Sequence, residues 1–156
     1  VEGASDIRLA IGPHEVHVAL YEAPLPDSDA RVTFVRCSQL YDRDGIYTQD
    51  PDEHLRFIVL VYAALAACQH LGFSPDIAHV HDWQSALLPL ALNCRFRWDR
   101  ERFARTKTVL TIHNIAYQGT FGADALDDDE KPAQRGGQPL LGLDVGLQLG
   151  RIGRQA

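Results

Sequence analysis

Two short segments of the chain carry polar side chains of the kind that bind substrates and stabilise charge. The first is His79-Val80-His81-Asp82-Trp83, and the second runs from His113 and Asn114 to Tyr117 and Gln118. Each segment follows a short apolar run that is typical of a buried strand. Imidazole, carboxamide and carboxylate groups recognise hydroxyls and stabilise charge that develops in a reaction. The two segments are therefore the candidates for a functional site.

A metal site is one alternative for these histidines. On a strand, His79 and His81 would lie on the same side, with Asp82 adjacent. Such a site needs further ligands, and the sequence offers His113 as the other obvious one. The more common arrangement has one histidine packed in the core and the other in a crevice. No metal site is therefore predicted.

Other kinds of catalytic site find no support in the sequence. No serine lies in a Gly-x-Ser-x-Gly elbow, and no Walker or G-x-G-x-x-G phosphate loop occurs. The pair His14 and His17 is spaced three residues apart, unlike the zinc-protease motif, and is interpreted as a surface loop and strand start. The three cysteines have no zinc or redox spacing, so free thiols in a reducing cytoplasm are expected.

Alternating helices and strands are predicted to position the two polar segments. The apolar pattern predicts strands over 16–23, 30–37, 77–81 and 108–113, and helices over 53–70 and 84–95. Asp52 is predicted to cap the first helix, residues 38–51 to form a loop, and residues 95–106 to be exposed.

Strands that alternate with helices imply right-handed crossovers and a parallel sheet. The predicted fold class is α/β, a Rossmann-like parallel sheet with helices on both faces. In such sheets, ligands bind at the carboxyl ends of the strands. Both polar segments begin at the carboxyl end of a predicted strand and continue beyond it.

Length and charge narrow the class further. The chain has 156 residues and a net charge of −6, which suits one domain and disfavours a nucleic-acid partner. No apolar run approaches the roughly 20 residues of a membrane-spanning helix, so no membrane partner is expected.

The chain has no methionine, which favours a fragment. Residues 1–123 are predicted to form a partial domain, and residues 124–156 a weakly patterned, poorly ordered tail.

Four segments together resemble the bacterial glycogen (starch) synthase family. The specific part is the order of two motifs, PDIAHVHDWQ at 75–84 and TVLTIHNIAYQGTF at 108–121. Weaker support comes from LYDRDGIY at 40–47 and from the helix that begins LRF at 55–57. The resemblance covers roughly residues 16–124, most of the chain.

The resemblance implies a GT-B architecture, of which this chain is an incomplete N-terminal domain. It implies retaining transfer of glucose from ADP-glucose or UDP-glucose to the non-reducing end of an α-1,4-glucan, without a metal or other cofactor. The expected partners are the nucleotide sugar, the α-glucan acceptor and the missing C-terminal Rossmann-like domain. By position in the motifs, the catalytic residues are His113 and Asp82, and the substrate-binding residues are Asn114, Tyr117, Gln118 and His81.

The chain also departs from the family. The lysine-threonine-glycine-glycine loop and the phosphate-binding second domain have no counterpart in the sequence, so we expect the chain alone to be inactive. An alternative is a non-catalytic carbohydrate-binding or interaction module derived from such an enzyme. Two roles stay open for Asp82, a direct one and capping of the helix over 84–95. Packing is expected for Trp83 and Tyr117, and ion pairs for residues 41–44.

Overall fold

The computed structural model describes residues 2–121, with side chains from residue 5 onward. The strands are β1 (Glu2–Ile11), β2 (His14–Pro24), β3 (Arg31–Arg36), β4 (Ile77–His81) and β5 (Lys107–Thr111). The helices are α1 (Ser38–Tyr41), α2 (Glu53–His70), α3 (Asp82–Ser85), α4 (Leu88–Cys94) and α5 (Arg100–Phe103). The prediction for residues 124–156 lies outside the described residues. Of the helices within 2–121, none is long and apolar enough to cross a membrane.

Strands β1, β2 and β3 form an antiparallel sheet in that order. Their position was predicted only in part. The polar residues of β1 concealed its alternation, in which Leu9 and Ile11 are buried. Residues 14–17 belong to β2, so the strand start predicted there is confirmed and the surface loop is wrong, although His14 and His17 are exposed. The parallel arrangement that was predicted for the whole sheet is therefore wrong for this part of the chain.

Helix α2 holds the core together and has the bounds that its apolar spacing predicted. Val59, Val61 and Leu65 are buried in one hydrophobic cluster that also contains residues of the antiparallel sheet and of α4. After Leu71, Gly72 has a φ of +66°, and the N–H of Phe73 donates to the Cys68 carbonyl. This left-handed glycine closes the helix and directs the chain toward β4.

The capping role predicted for Asp52 is wrong. Its side chain makes no cap hydrogen bond to α2 and instead accepts a hydrogen bond of 2.7 Å from Arg43. The predicted loop over 38–51 also contains the short helix α1. The guanidinium of Arg43 therefore binds the Asp52 carboxylate, which was predicted to cap the N-terminus of α2.

Strands β4 and β5 form a parallel pair, which confirms the predicted α/β class and the crossover between them. Strand β4 has its predicted bounds, whereas β5 ends at Thr111 and not at His113. The predicted burial of β5 is wrong, because Val109 and Leu110 are 46% and 39% exposed. Within the described residues this sheet has two strands, so β5 lacks the neighbours that would cover it.

The segment between β4 and β5 is more broken than predicted. The predicted helix over 84–95 consists of α3 and α4, and Pro89 lies in the first turn of α4. Proline has no N–H to continue the ladder from α3, which explains the break. Residues 95–106 are not uniformly exposed, since Phe96 and Phe103 are buried and Asp99 caps α5.

Candidate functional site

The two polar segments meet where the parallel strands end. In the register of the pair, His81 lies opposite Thr111. Asp82 follows β4, and its Oδ1 atom accepts hydrogen bonds from the backbone N–H groups of His113 at 2.6 Å and Asn114 at 3.4 Å. Asp82 and His113 therefore share one edge of the sheet, as the sequence predicted.

Asp82 holds an uncommon backbone conformation, with a φ of +53°. Left-handed conformations cost free energy in residues other than glycine, although aspartate and asparagine tolerate them best. His81 is the N-cap residue of α3, and no side-chain hydrogen bond caps that helix. The capping role considered for Asp82 is therefore replaced by another: its carboxylate binds the loop that follows β5.

Three histidine rings lie side by side on this edge. The Nδ1 atom of His81 is 3.0 Å from the Nε2 atom of His113, and the two rings are stacked with centroids 5.2 Å apart. The ring of His79 is 4.3 Å from that of His81, and its Nε2 atom lies 2.7 Å from the Thr111 hydroxyl. Both strand histidines are exposed and the residue between them, Val80, is buried. The expectation that one histidine packs in the core is therefore wrong.

Ser85 anchors the end of β4, a role that the sequence did not indicate. Its hydroxyl accepts a hydrogen bond from the backbone N–H of His81 at 2.7 Å and donates to the carbonyl of the same residue at 2.6 Å. A serine four residues after the last residue of a strand is a weak sequence signal for this kind of turn.

The loop after β5 uses its own polar groups to hold its shape. Oδ1 of Asn114 accepts the N–H of Ala116 at 3.0 Å, and Nε2 of Gln118 donates to the carbonyl of Ile115 at 3.1 Å. Tyr117 is 71% exposed, so the packing expected for its ring is absent. The roles in substrate binding assigned to Asn114, Tyr117 and Gln118 stay predictions.

Trp83 packs against aromatic rings beside this loop, although it is half-buried and lies outside the hydrophobic core in which it was predicted to pack. Its ring lies 4.5 Å from that of Phe57 and 5.5 Å from that of Phe121. Gly119 has a φ of +59°, and a Cβ atom there would lie 2.1 Å from the Trp83 ring. The loop can therefore approach the indole closely because residue 119 has no side chain.

The loop between α1 and α2 also contributes to the site. Arg43 pairs with Asp50 at 2.9 Å and with Asp52 at 2.7 Å, which confirms that Arg43 holds this loop by ion pairs. The side-chain hydrogen bond from Arg43 holds the pKa of Asp52 below its ordinary value.

Two buried charged residues near the start of α2 hold this loop in place. Glu53 Oε2 accepts from the Thr48 N–H at 2.6 Å, and Arg56 donates to the Ile46 carbonyl at 2.7 Å. The loop thereby presents the Tyr47 hydroxyl to Gln84, whose Nε2 atom donates to it at 2.6 Å. No pattern in the sequence indicated that Tyr47 lies beside the histidine-aspartate-tryptophan segment.

The described residues do not provide a ligand set for the metal site that was considered as an alternative. Across residues 2–121, no three His, Cys, Asp or Glu side chains are grouped closely enough to hold a metal ion. The rim that Asp82 holds together offers imidazole and carboxamide groups, which can donate and accept hydrogen bonds.

Known proteins share both the sequence and the fold of this region. Residues 3–138 match the family described as starch synthase catalytic domain. A glycogen synthase of Treponema denticola is 37% identical over 133 residues, which are 82% of this chain and 26% of that protein. A glycogen synthase of Thermotoga petrophila is 43% identical over 102 residues, which are 65% of this chain and 21% of that protein. The chain thus spans about a quarter of the length of the curated relatives that it matches.

A solved structure of similar fold is the catalytic domain of starch synthase IV from Arabidopsis thaliana, bound to ADP and acarbose. The likeness has a TM-score of 0.69 at 24% sequence identity and covers 83% of this chain and 26% of that one. At this identity the likeness concerns the fold, and it agrees with the α/β class of the two parallel strands. The family match over residues 3–138, most of the chain, shows that the chain belongs to the starch synthase catalytic domain family.

Proposed function

We propose that this chain is part of a retaining glucosyltransferase that transfers glucose from ADP-glucose or UDP-glucose to the non-reducing end of an α-1,4-glucan. The observation that carries the proposal is the junction of Asp82 with the His113 loop, at the carboxyl ends of two parallel strands. This junction lies within the region that matches the starch synthase catalytic domain.

The chemistry of glucosyl transfer suits this rim. The reaction passes through a state in which the sugar carries positive charge while the nucleoside diphosphate leaves. Preorganised dipoles and hydrogen bonds to the sugar hydroxyls lower the barrier because they need no rearrangement during the reaction. His113 would bind a hydroxyl of the glucosyl group, and Asn114, Tyr117, Gln118 and His81 would line the same cleft.

Asp82 contributes in a different way in this proposal. Its Oδ1 atom accepts two backbone N–H groups of the His113 loop, so the carboxylate positions the histidine. The second carboxylate oxygen could still orient an acceptor hydroxyl. The donor diphosphate requires cationic groups, and in this proposal they come from a C-terminal Rossmann-like domain.

The chain alone is therefore expected to be inactive as a synthase. Release of ADP from ADP-glucose that depends on added glycogen would contradict this expectation. Saturable binding of glycogen without turnover is the result that would favour the alternative, a non-catalytic carbohydrate-binding module.

We infer a cytoplasmic location from the free state of Cys37, Cys68 and Cys94, which is typical of a reducing compartment.

A chimera tests the proposal directly. The matching segment of the Treponema denticola protein is replaced by the corresponding residues of this chain, and transfer of labelled glucose from ADP-glucose and from UDP-glucose to glycogen is measured. The proposal predicts transfer by the chimera and a loss of about 100-fold or more on His113→Ala. His17→Ala, a substitution on the antiparallel sheet, is the control and should retain the rate. A folded His113→Ala chimera that transfers glucose at the full rate would contradict the proposal.

A further inference from the structure

His81 and His113 are joined by a hydrogen bond between ring nitrogens. Nδ1 of His81 lies 3.0 Å from Nε2 of His113, and the rings are inclined by 24°. One of the two nitrogens must carry a hydrogen and the other must not. The protonation patterns of the two rings are therefore coupled.

The chemistry of imidazole limits the pair to two arrangements while both rings are neutral. A neutral ring has one N–H donor and one acceptor nitrogen. If His113 donates from Nε2, then His81 accepts at Nδ1 and both rings carry their hydrogen on Nε2. If His81 donates from Nδ1, both rings must carry their hydrogen on Nδ1. The first arrangement is favoured, because the Nε2–H form is the more stable tautomer of an isolated histidine side chain.

A doubly protonated pair is opposed for a separate reason. Both nitrogens would then be donors, and two positive charges would face each other across 3.0 Å. The contact as it stands thus requires at least one neutral ring.

His81 is the better anchored member of the pair. Its backbone N–H and carbonyl are both bonded to the Ser85 hydroxyl, and it follows the buried Val80 at the end of β4. The ring of His79 packs on its other side at 4.3 Å. His113 lies beyond the end of β5, where its backbone is held by Asp82. Its ring is held by His81.

We propose that His81 is a positioning residue that holds His113 in the Nε2–H tautomer and leaves Nδ1 of His113 as an acceptor for a ligand hydroxyl. The ligand part of this statement rests on the proposed function, whereas the tautomer part does not. His81, which the resemblance assigned to substrate binding, acts on the ligand through His113 in this account.

Nitrogen-15 NMR of the imidazole rings tests the proposal in the full chain at about pH 8, where an ordinary imidazole is neutral. The wild-type spectrum should show His113 with a protonated Nε2 and an unprotonated Nδ1, with the two signals widely separated. A mixture of tautomers in exchange would bring the two signals together and would overturn the proposal. A His113 ring with its hydrogen on Nδ1 would overturn it as well.

Three variants separate positioning from packing. His81→Phe keeps a stacked ring without the acceptor, so the two His113 signals should move toward each other. His81→Asn offers an amide oxygen near the position of Nδ1 and should restore the separation. His79→Phe, which changes the ring that does not bond His113, should leave the signals of His113 as in the wild type. Unchanged His113 signals in His81→Phe would contradict the positioning role.

The wild-type spectrum decides the question even if His81→Phe does not fold. The result is also independent of glucosyl transfer. A chimera without activity together with a locked His113 tautomer would refute the proposed function alone, and an active chimera with a mixed tautomer would refute the positioning role alone.

Discussion

The Asp82 carboxylate lies 2.6 Å from the backbone nitrogen of His113, across the ends of two parallel strands. The same oxygen receives the N–H of Asn114 at 3.4 Å. Asp82 reaches this position with a φ of +53°, a conformation that persists where surrounding contacts compensate its cost. The junction therefore couples the end of β4 to the start of the loop that carries the other site residues.

Substitution of Asp82 should separate its backbone role from its hydrogen-bonding role. Asp82→Ala removes the acceptor of two N–H groups and places alanine in a left-handed conformation, so we expect the free energy of unfolding to fall by about 2–4 kcal/mol. Asp82→Asn tolerates the conformation and keeps an oxygen, so the loss should be clearly smaller. Urea denaturation measures both. Equal losses for alanine and asparagine would contradict the contact with the His113 loop.

Gly119 and Gly72 form a matched pair for a test of the loop on Trp83. Both have a positive φ, but nothing lies within 4 Å of a Cβ atom at Gly72, whereas a Cβ atom at Gly119 would lie 2.1 Å from the indole. Gly72→Ala should cost about 1 kcal/mol from the backbone alone. Gly119→Ala should move the loop and change the fluorescence of Trp83. A variant at Gly119 with the emission and stability of Gly72→Ala would argue against the close approach.

Acid should weaken the chain through Asp99 and Asp52. Hydrogen bonds from Gln69 and Arg43 respectively hold the pKa values of these two carboxyls below their ordinary values. A carboxyl with a depressed pKa in the folded state contributes its full stabilisation above the pKa of the unfolded chain, and loses it as the pH falls through the folded value. Unfolding free energy should therefore decline below about pH 4.

The control for this pH effect is Asp99→Asn, which should flatten the decline because residue 99 no longer titrates. Chemical denaturation at several pH values between neutral and strongly acidic conditions gives the slope. An identical slope in the wild type and in Asp99→Asn would remove Asp99 from the explanation.

Strand β5 should make the chain prone to self-association. Val109, Leu110 and Ile112 are all exposed, and within the described residues β5 pairs with β4 alone. An exposed apolar strand edge is a template for pairing with a second chain. Sedimentation should show concentration-dependent association, and Leu110→Lys should reduce it. A monodisperse monomer at high concentration would contradict this expectation.

The sequence predicted the elements whose apolar residues follow one clear period. Helix α2 and strand β4 have the predicted bounds. For α2, the spacing of its apolar residues and the glycine that follows the helix define these bounds. Strand β1 was missed because its polar residues mask the alternation of Leu9 and Ile11. The break between α3 and α4 could have been predicted from Pro89, since a proline in that position ends a helical ladder.

The site was predictable in its location and not in its contacts. Parallel strands bring their carboxyl ends to one edge, so the meeting of Asp82 and His113 follows from topology. The left-handed backbone of Asp82, the Ser85 turn and the approach of Tyr47 depend on tertiary contacts between distant segments. No local pattern encodes such contacts, because each one involves side chains whose partners are decided by the packing of the whole fold.

A titration of the isotope-labelled chain with maltoheptaose, followed by NMR, tests most directly whether this edge of the sheet binds sugar. Saturable shifts are expected in the signals of His113, Asn114 and Tyr117, and these shifts should weaken in Asp82→Ala. Saturable shifts confined to the antiparallel sheet, with the signals after β5 unchanged, would contradict sugar binding at this edge.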